Sequence, residues 1–104
     1  MEGNVKLKMF STVRRYEGVK DPEDATNKVH EVFVPLISAV PGFVEYLWID
    51  LGDGAMMSIT TFKSLPEAIA ANAKSRIWVE DHLSSVLSRS VRIEAGSIVV
   101  YKRK

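Results

Sequence analysis

Cysteine is absent from this 104-residue chain. That removes a disulfide scaffold, a thiol nucleophile and any zinc site built on thiolates. Long apolar runs are absent as well. Nothing approaches the roughly 18 residues that a membrane-crossing helix needs, and the start carries no signal-peptide pattern, so a cytoplasmic protein without a membrane partner is expected. Charge of one sign is not in excess either: 14 basic against 13 acidic residues leave +1. The basic residues are scattered apart from Lys102-Arg103-Lys104, so charge gives no support to a nucleic-acid partner. There is no GxSxG elbow, no phosphate-binding glycine loop and no HExxH or other two-histidine spacing. No metal and no cofactor is therefore expected. Repeats, low-complexity tracts and linkers are missing too. What remains, 46% hydrophobic and 26% charged, describes one globular domain over residues 1–104 with enough chain for a core.

The most informative stretch is Pro41 to Phe62, which reads as one long antiparallel hairpin. Asp53-Gly54 is a strong signal for a tight primed turn, because both residues tolerate positive φ. Gly52 leaves room for a longer loop or a bulge, so the register stays open by one residue. With Asp53-Gly54 as a two-residue turn, Trp48 lies across from Ile59 and Tyr46 across from Thr61. One face then carries Tyr46, Trp48, Met57 and Ile59, and the other Phe43, Leu47, Ile49, Met56 and Phe62. A sheet with a solvated side should alternate apolar and polar residues. This one has two apolar faces, one for helices and one for a second cover, and in so short a chain that cover is expected to be a second copy.

Ahead of the hairpin, Val5 to Tyr16 alternates as a strand, with Val5, Leu7, Met9 and Val13 on one face and Lys6, Lys8, Phe10, Thr12 and Arg14 on the other. Gly18 ends it. Asp21-Pro22 starts a helix, with Asp as cap and Pro in the first turn. Ala25, Val29, Val32, Phe33, Leu36 and Val40 form its apolar stripe, and Pro35 predicts a kink near Glu31 to Val34. After the hairpin, Ser64-Leu65-Pro66-Glu67 has the form of a capping box. A short Ala-rich segment from Glu67 to Lys74 comes next, and Ser75 is expected to cap a separate helix from Arg76 to about Arg89, with Val79, Leu83, Val86 and Leu87 buried. The last strand is expected at about Gly96 to Tyr101, where Ile98, Val99 and Val100 are β-branched. The order β-α-β-β-α-β is the ferredoxin-like split unit, an α+β fold with an antiparallel sheet.

A set of residues then suggests a family. Arg14-Arg15-Tyr16 with Gly18, Asp21-Pro22, Phe33-Val34-Pro35-Leu36, Pro41-Gly42-Phe43 with Tyr46, and Trp78-Val79 stand in an order that resembles the antibiotic biosynthesis monooxygenase-like superfamily. The resemblance runs from about Val5 to Tyr101 and is greatest to a small bacterial branch without assigned activity. It implies a dimeric α+β barrel, with two sheets packed face to face and the last strand often reaching across. It also implies a small-molecule pocket between sheet and helices in each subunit. Haem-degrading relatives need an Asn in the first strand, a Trp early in the second helical region and a His after it. His82 fits the last role, but Asn72 stands where the Trp should be and no Asn lies between Val5 and Tyr16, which argues against haem degradation.

His82 is the one histidine at a plausible site position, four residues after Trp78 on the same helix edge. An aromatic wall beside an imidazole suits binding and deprotonation of a phenolic substrate; the plainer reading has Trp78 packing and His82 hydrogen-bonded at the boundary. Arg14 or Arg15 suits the holding of an anionic oxygen, and equally a strand end or a dimer contact. Tyr46 and Trp48 offer stacking surfaces or core packing. Asn72 is counted with the binding residues on its position alone. His30 lies off the apolar stripe and is expected at the surface. The expected function is a homodimeric small-molecule-binding protein, with cofactor-independent monooxygenation of an aromatic or quinol-like compound as its leading activity. The alternative is a non-catalytic ligand-binding or structural dimer. RNA binding, which shares this element order, lacks its stacking rings on the strand Ala55 to Phe62.

Overall fold

A computed structural model describes residues 9–83 and 92–104. The expectations placed on Val5 to Lys8 and on Val86, Leu87 and Arg89 lie outside the described residues. Four strands, β1 (Phe10–Tyr16), β2 (Phe43–Gly52), β3 (Ala55–Phe62) and β4 (Arg92–Ser97), form one antiparallel sheet in the order β2-β3-β1-β4. Helices cover one face. The first helical stretch runs without a break through α1 (Pro22–Lys28), a π turn (Val29–Phe33) and α2 (Val34–Ser38), and the second is α3 (Leu65–His82). This is the α+β ferredoxin-like arrangement expected from the sequence.

Local chemistry accounts for the boundaries. Asp21 caps α1 through its side chain, which accepts from the Asp24 amide at 3.0 Å. Pro35 has no amide to offer and its ring crowds the preceding turn. The chain answers with one wide turn, in which the Val34 amide bonds to the Val29 carbonyl five residues back. The expected kink is thus a π turn beginning two residues earlier than the sequence suggests. The wide turn also rotates the helix C-terminal to it, so that Ala25, Val29, Phe33, Ile37 and Val40 are buried while Val32 and Leu36 are exposed. Gly42 leaves the helix at φ +85°, and a Cβ there would run into the Glu67 carboxylate. That carboxylate is held by the capping box, with Ser64 Oγ 2.9 Å from Glu67 Oε1.

The structure corrects three expectations. Asp53 (φ 54°) and Gly54 (φ 80°) do form the tight turn, pairing Gly52 with Ala55, but Leu51 bulges. The Gly52 amide folds back onto the Asp50 carboxylate at 2.8 Å, beyond the bulge the pairs from Asp50 to Glu45 shift by one, and a second irregularity between Phe43 and Glu45 shifts the Phe43–Phe62 pair once more. Trp48 therefore faces Ser58 and Tyr46 faces Thr60, so Met57 and Ile59 move to the opposite face. Second, α3 is one unbroken helix. Ser75 is buried in its middle instead of capping a new one, and Leu65, Ile69 and Ile77 are exposed on its outer side, which is why its amphipathic signal is weak. Third, β4 starts earlier than its β-branched residues suggest. Its ladder extends to Ser97 opposite Phe10, the first residue of β1, and ends with a single bond from the Ile98 amide to the Met9 carbonyl at 2.9 Å. Val99 and Val100 lie beyond it, 82% and 83% exposed.

Candidate functional site: a polar layer between sheet and helices

In a two-layer domain the sheet face under the helices is ordinarily the apolar core. Here much of it is polar. The pairing of strands sets two rows across the sheet, Trp48–Ser58–Arg14 and Tyr46–Thr60–Thr12, with Tyr16 beside Met56 in the row beyond. Thr12, Arg14, Ser58, Thr60 and Tyr16 are all buried. α3 crosses above β1 and β3 with a small-residue face, on which Ala68, Ala71 and Ser75 are buried. Short side chains on the helix leave the layer to the longer ones on the strands.

Aromatic rings close this layer. Phe33, brought inward by the π turn, stands 5.3 Å from the Tyr46 ring and 5.0 Å from the Trp78 ring. Tyr16 and Trp48 meet at 5.4 Å. The Trp48 indole N–H donates to Thr26 Oγ1 at 2.9 Å, fastening β2 to α1. Outside that bond an open groove of about 290 Å³ lies between the first helical stretch and β2, lined by Thr26, Val29, His30, Val34, Tyr46 and Trp48. Its volume is near the lower end for small-molecule sites, roughly 300 Å³. It shares Tyr46 and Trp48 with the layer beneath.

Arg14 is the charge in the layer, 5% exposed. One guanidinium nitrogen donates to the Asn72 carbonyl at 3.3 Å. No carboxylate among the described residues pairs with it, and of the 13 acidic residues only Glu2 lies outside them. Burial pushes the guanidinium pKa down, partly offset by Tyr16 and Tyr46, while Arg76 pushes it further down. Burial likewise raises both phenols above their ordinary value of about 10, against hydrogen bonding to Ser58 and the charge of Arg14. Both tyrosines are therefore neutral donors at physiological pH. The Trp78 indole N–H is buried and has no hydrogen-bond partner among the described residues.

The sequence-selected residues separate into groups. Arg14, Tyr46 and Trp48 come together, and Asn72 joins them through its main-chain carbonyl. Trp78 borders them through Phe33. Arg15 points to the other sheet face, where it pairs with Glu17 at 2.8 Å. His82 is exposed in the last turn of α3, stacked on Trp78 at 4.7 Å and 13°, with Nδ1 3.1 Å from the Trp78 carbonyl oxygen. It does not border the groove, whereas His30 does. Sequence reasoning missed Tyr16, Ser58, Thr60 and Ser75. The slipped register hid Ser58 and Thr60, since it placed Met57 and Ile59 beside Trp48. Among the described residues no three His, Asp or Glu side chains gather as a metal site would require, and no helix is long and apolar enough to cross a membrane.

No protein-family model and no curated protein matches the sequence. Solved structures do match its fold. A Nitrosomonas europaea protein of unknown function superposes with a TM-score of 0.76 at 17% identity, over 96% of this chain and 98% of that one. A Streptomyces coelicolor monooxygenase solved with the ligand nanaomycin D gives 0.70 at 15%, over 94% and 93%. A cofactor-independent oxygenase of Streptomyces nogalater, SnoaB, gives 0.65 at 15%, over 92% and 96%. At such identities the likeness concerns the fold, and on that ground the chain has the architecture of the antibiotic biosynthesis monooxygenase-like proteins.

Proposed function

We propose that the protein is a homodimeric small-molecule-binding protein that acts as a cofactor-independent monooxygenase on an aromatic or quinol-like compound. One observation carries the reading: the helix-covered sheet face holds a buried, aromatic-walled polar layer where the fold needs only an apolar core. Buried polar groups are costly unless satisfied, so such a layer under a groove suits a ligand. Tyr46 and Trp48 are the stacking walls, Trp78 the far wall, and Arg14 the holder of an anionic oxygen, with Asn72 fixing the guanidinium.

The chemistry balances without a cofactor. A quinol and dioxygen give a hydroxyquinone and water. A base removes a phenolic proton, the ring anion donates electrons to oxygen and forms a C–O bond, and O–O cleavage releases water. The substrate supplies all four electrons. The base is a histidine, because both tyrosines are held neutral. Sequence position assigns it to His82, and the groove offers His30. Oxygen uptake with a panel of hydroquinones and naphthoquinols, in wild type, His82→Ala and His30→Ala, tests this. A loss confined to His82→Ala supports the sequence assignment, a loss confined to His30→Ala moves the role to His30, and no loss in either overturns histidine as base.

The uncovered sheet face supports the dimer. Val13, Leu47, Ile49, Met57 and Ile59 share it, Leu47 exposed and the others half-buried. A second reading, a ligand-binding dimer without turnover, is favoured by the absence of any carboxylate or imidazole from the described residues of the buried layer. Ligand binding without oxygen uptake would select it.

A further inference from the structure

The layer holds a buried positive charge that faces no carboxylate among the described residues. Arg14 brings five N–H donors, and among the described residues their acceptor is a main-chain oxygen, the Asn72 carbonyl. The Trp78 N–H is buried and has no partner among the described residues. Tyr16 and Tyr46 add hydroxyls that hydrogen-bond with Ser58, and Arg76, exposed on α3, adds a second positive charge close enough to be felt at Arg14. No carboxylate among the described residues enters the layer. A buried guanidinium left in this state opposes folding, because its hydration is lost and no counter-charge replaces it. Planar two-oxygen anions are what a guanidinium fork complements. Stacking walls at Tyr46 and Trp48 add a preference for a flat, unsaturated body.

From this we infer that the site selects its ligand by charge: the natural ligand is an aromatic or conjugated carboxylate, bound with its carboxylate on Arg14 and its ring toward Tyr46 and Trp48. The inference rests on the small-molecule reading above and sharpens it. A quinol substrate would then be a quinol acid, and its carboxylate would be a handle rather than the reacting group. Binding would also supply the missing counter-charge, so the occupied protein is the more stable one.

Benzoate and benzamide test this, since they match in ring, size and planarity and differ in charge. Thermal unfolding is followed for wild type and for Arg14→Met, which keeps an unbranched apolar stem, with sodium chloride balancing ionic strength. Millimolar benzoate is expected to raise the wild-type midpoint, with benzamide at least about tenfold less effective and the response lost in Arg14→Met. Without ligand, Arg14→Met is expected to unfold no lower than wild type. A midpoint far below wild type in ligand-free buffer would mean that Arg14 is satisfied internally, and the inference fails. Equal shifts from both compounds, kept in Arg14→Met, overturn charge selection while leaving the pocket standing. No shift from either compound in wild type overturns the inference together with the pocket.

Discussion

Both faces of the sheet depart from the usual arrangement, although Tyr16, Met56 and Phe62 keep an apolar part on the covered side. The covered side carries Thr12, Arg14, Ser58 and Thr60, and the side without helices carries Val13, Leu47, Ile49, Met57 and Ile59. For a monomer both choices are unfavourable, since apolar area left in water forfeits about 25 cal/mol per Å² and buried polar groups need partners. Taken together they are consistent. The proposed second copy would cover the apolar face, and the proposed ligand would enter the polar one. A single alternation along β1 produces both, because residues 12, 14 and 16 point one way and 13 and 15 the other.

The open face offers the largest expected effect. Ile59→Lys places a charge in the middle of the proposed contact, and two-fold symmetry places it there twice. Desolvating each ammonium costs several kcal/mol, so the dimer should weaken by at least about a hundredfold while the monomer stays folded, the new side chain then lying in water. Sedimentation at micromolar concentration reads this directly. A monomeric wild type would remove the role assigned to this face.

Within the covered face, Phe33 is the packing centre, since it touches both Tyr46 and Trp78. Phe33→Ala should cost about 3–5 kcal/mol, as for other buried aromatics cut to alanine, measured by denaturant unfolding. A loss below about 1 kcal/mol would mean that the rings close over the gap. The comparison between faces sharpens if this variant unfolds more easily yet still dimerises.

How far the sequence reveals this contrast depends on the element. Helix starts were legible because Asp21 with Pro22, and Ser64 with Glu67, act within a single turn. Asp53-Gly54 was legible for the same reason. The faces of the hairpin were not, because irregularities at Leu51 and between Phe43 and Glu45 decide them, and only Gly52 hinted at the first. Ser75 reads as a cap and is buried, since a serine's local preference cannot report which neighbour packs over it. β4 forms where β1 supplies a partner, so Ile98 to Val100 misled by their propensity. The candidate site was half visible: Arg14, Tyr46 and Trp48 stood out as chemistry, while the expected register set Ser58 and Thr60 on the opposite face from Tyr46 and Trp48.

Alkali distinguishes the faces by titration. Tyr16 and Tyr46 have folded pKa values raised above their ordinary value of about 10, so their contribution to stability is complete below pH 10. Above that the unfolded chain ionises first, and stability falls by up to about 1.4 kcal/mol per pH unit for each tyrosine until the folded pKa is reached. Tyr46→Phe should flatten the decline between about pH 10 and 11.5 by roughly half. An unchanged slope would mean that the phenol already ionises in the folded protein.

The smallest effect concerns the seam between β2 and α1. Trp48 donates to Thr26 across the edge of the groove, and a single neutral hydrogen bond of this kind contributes about 1 kcal/mol net. Trp48→Phe and Thr26→Val each remove it, and each also changes packing. Their double-mutant cycle isolates the bond, with an expected coupling of about 0.5–1.5 kcal/mol. The same pair should leave dimerisation untouched, because Trp48 lies on the helix-covered face. If loosening this seam shifted the monomer–dimer balance as strongly as Ile59→Lys, the faces would not be independent, and ligand entry and dimer formation would be one coupled event.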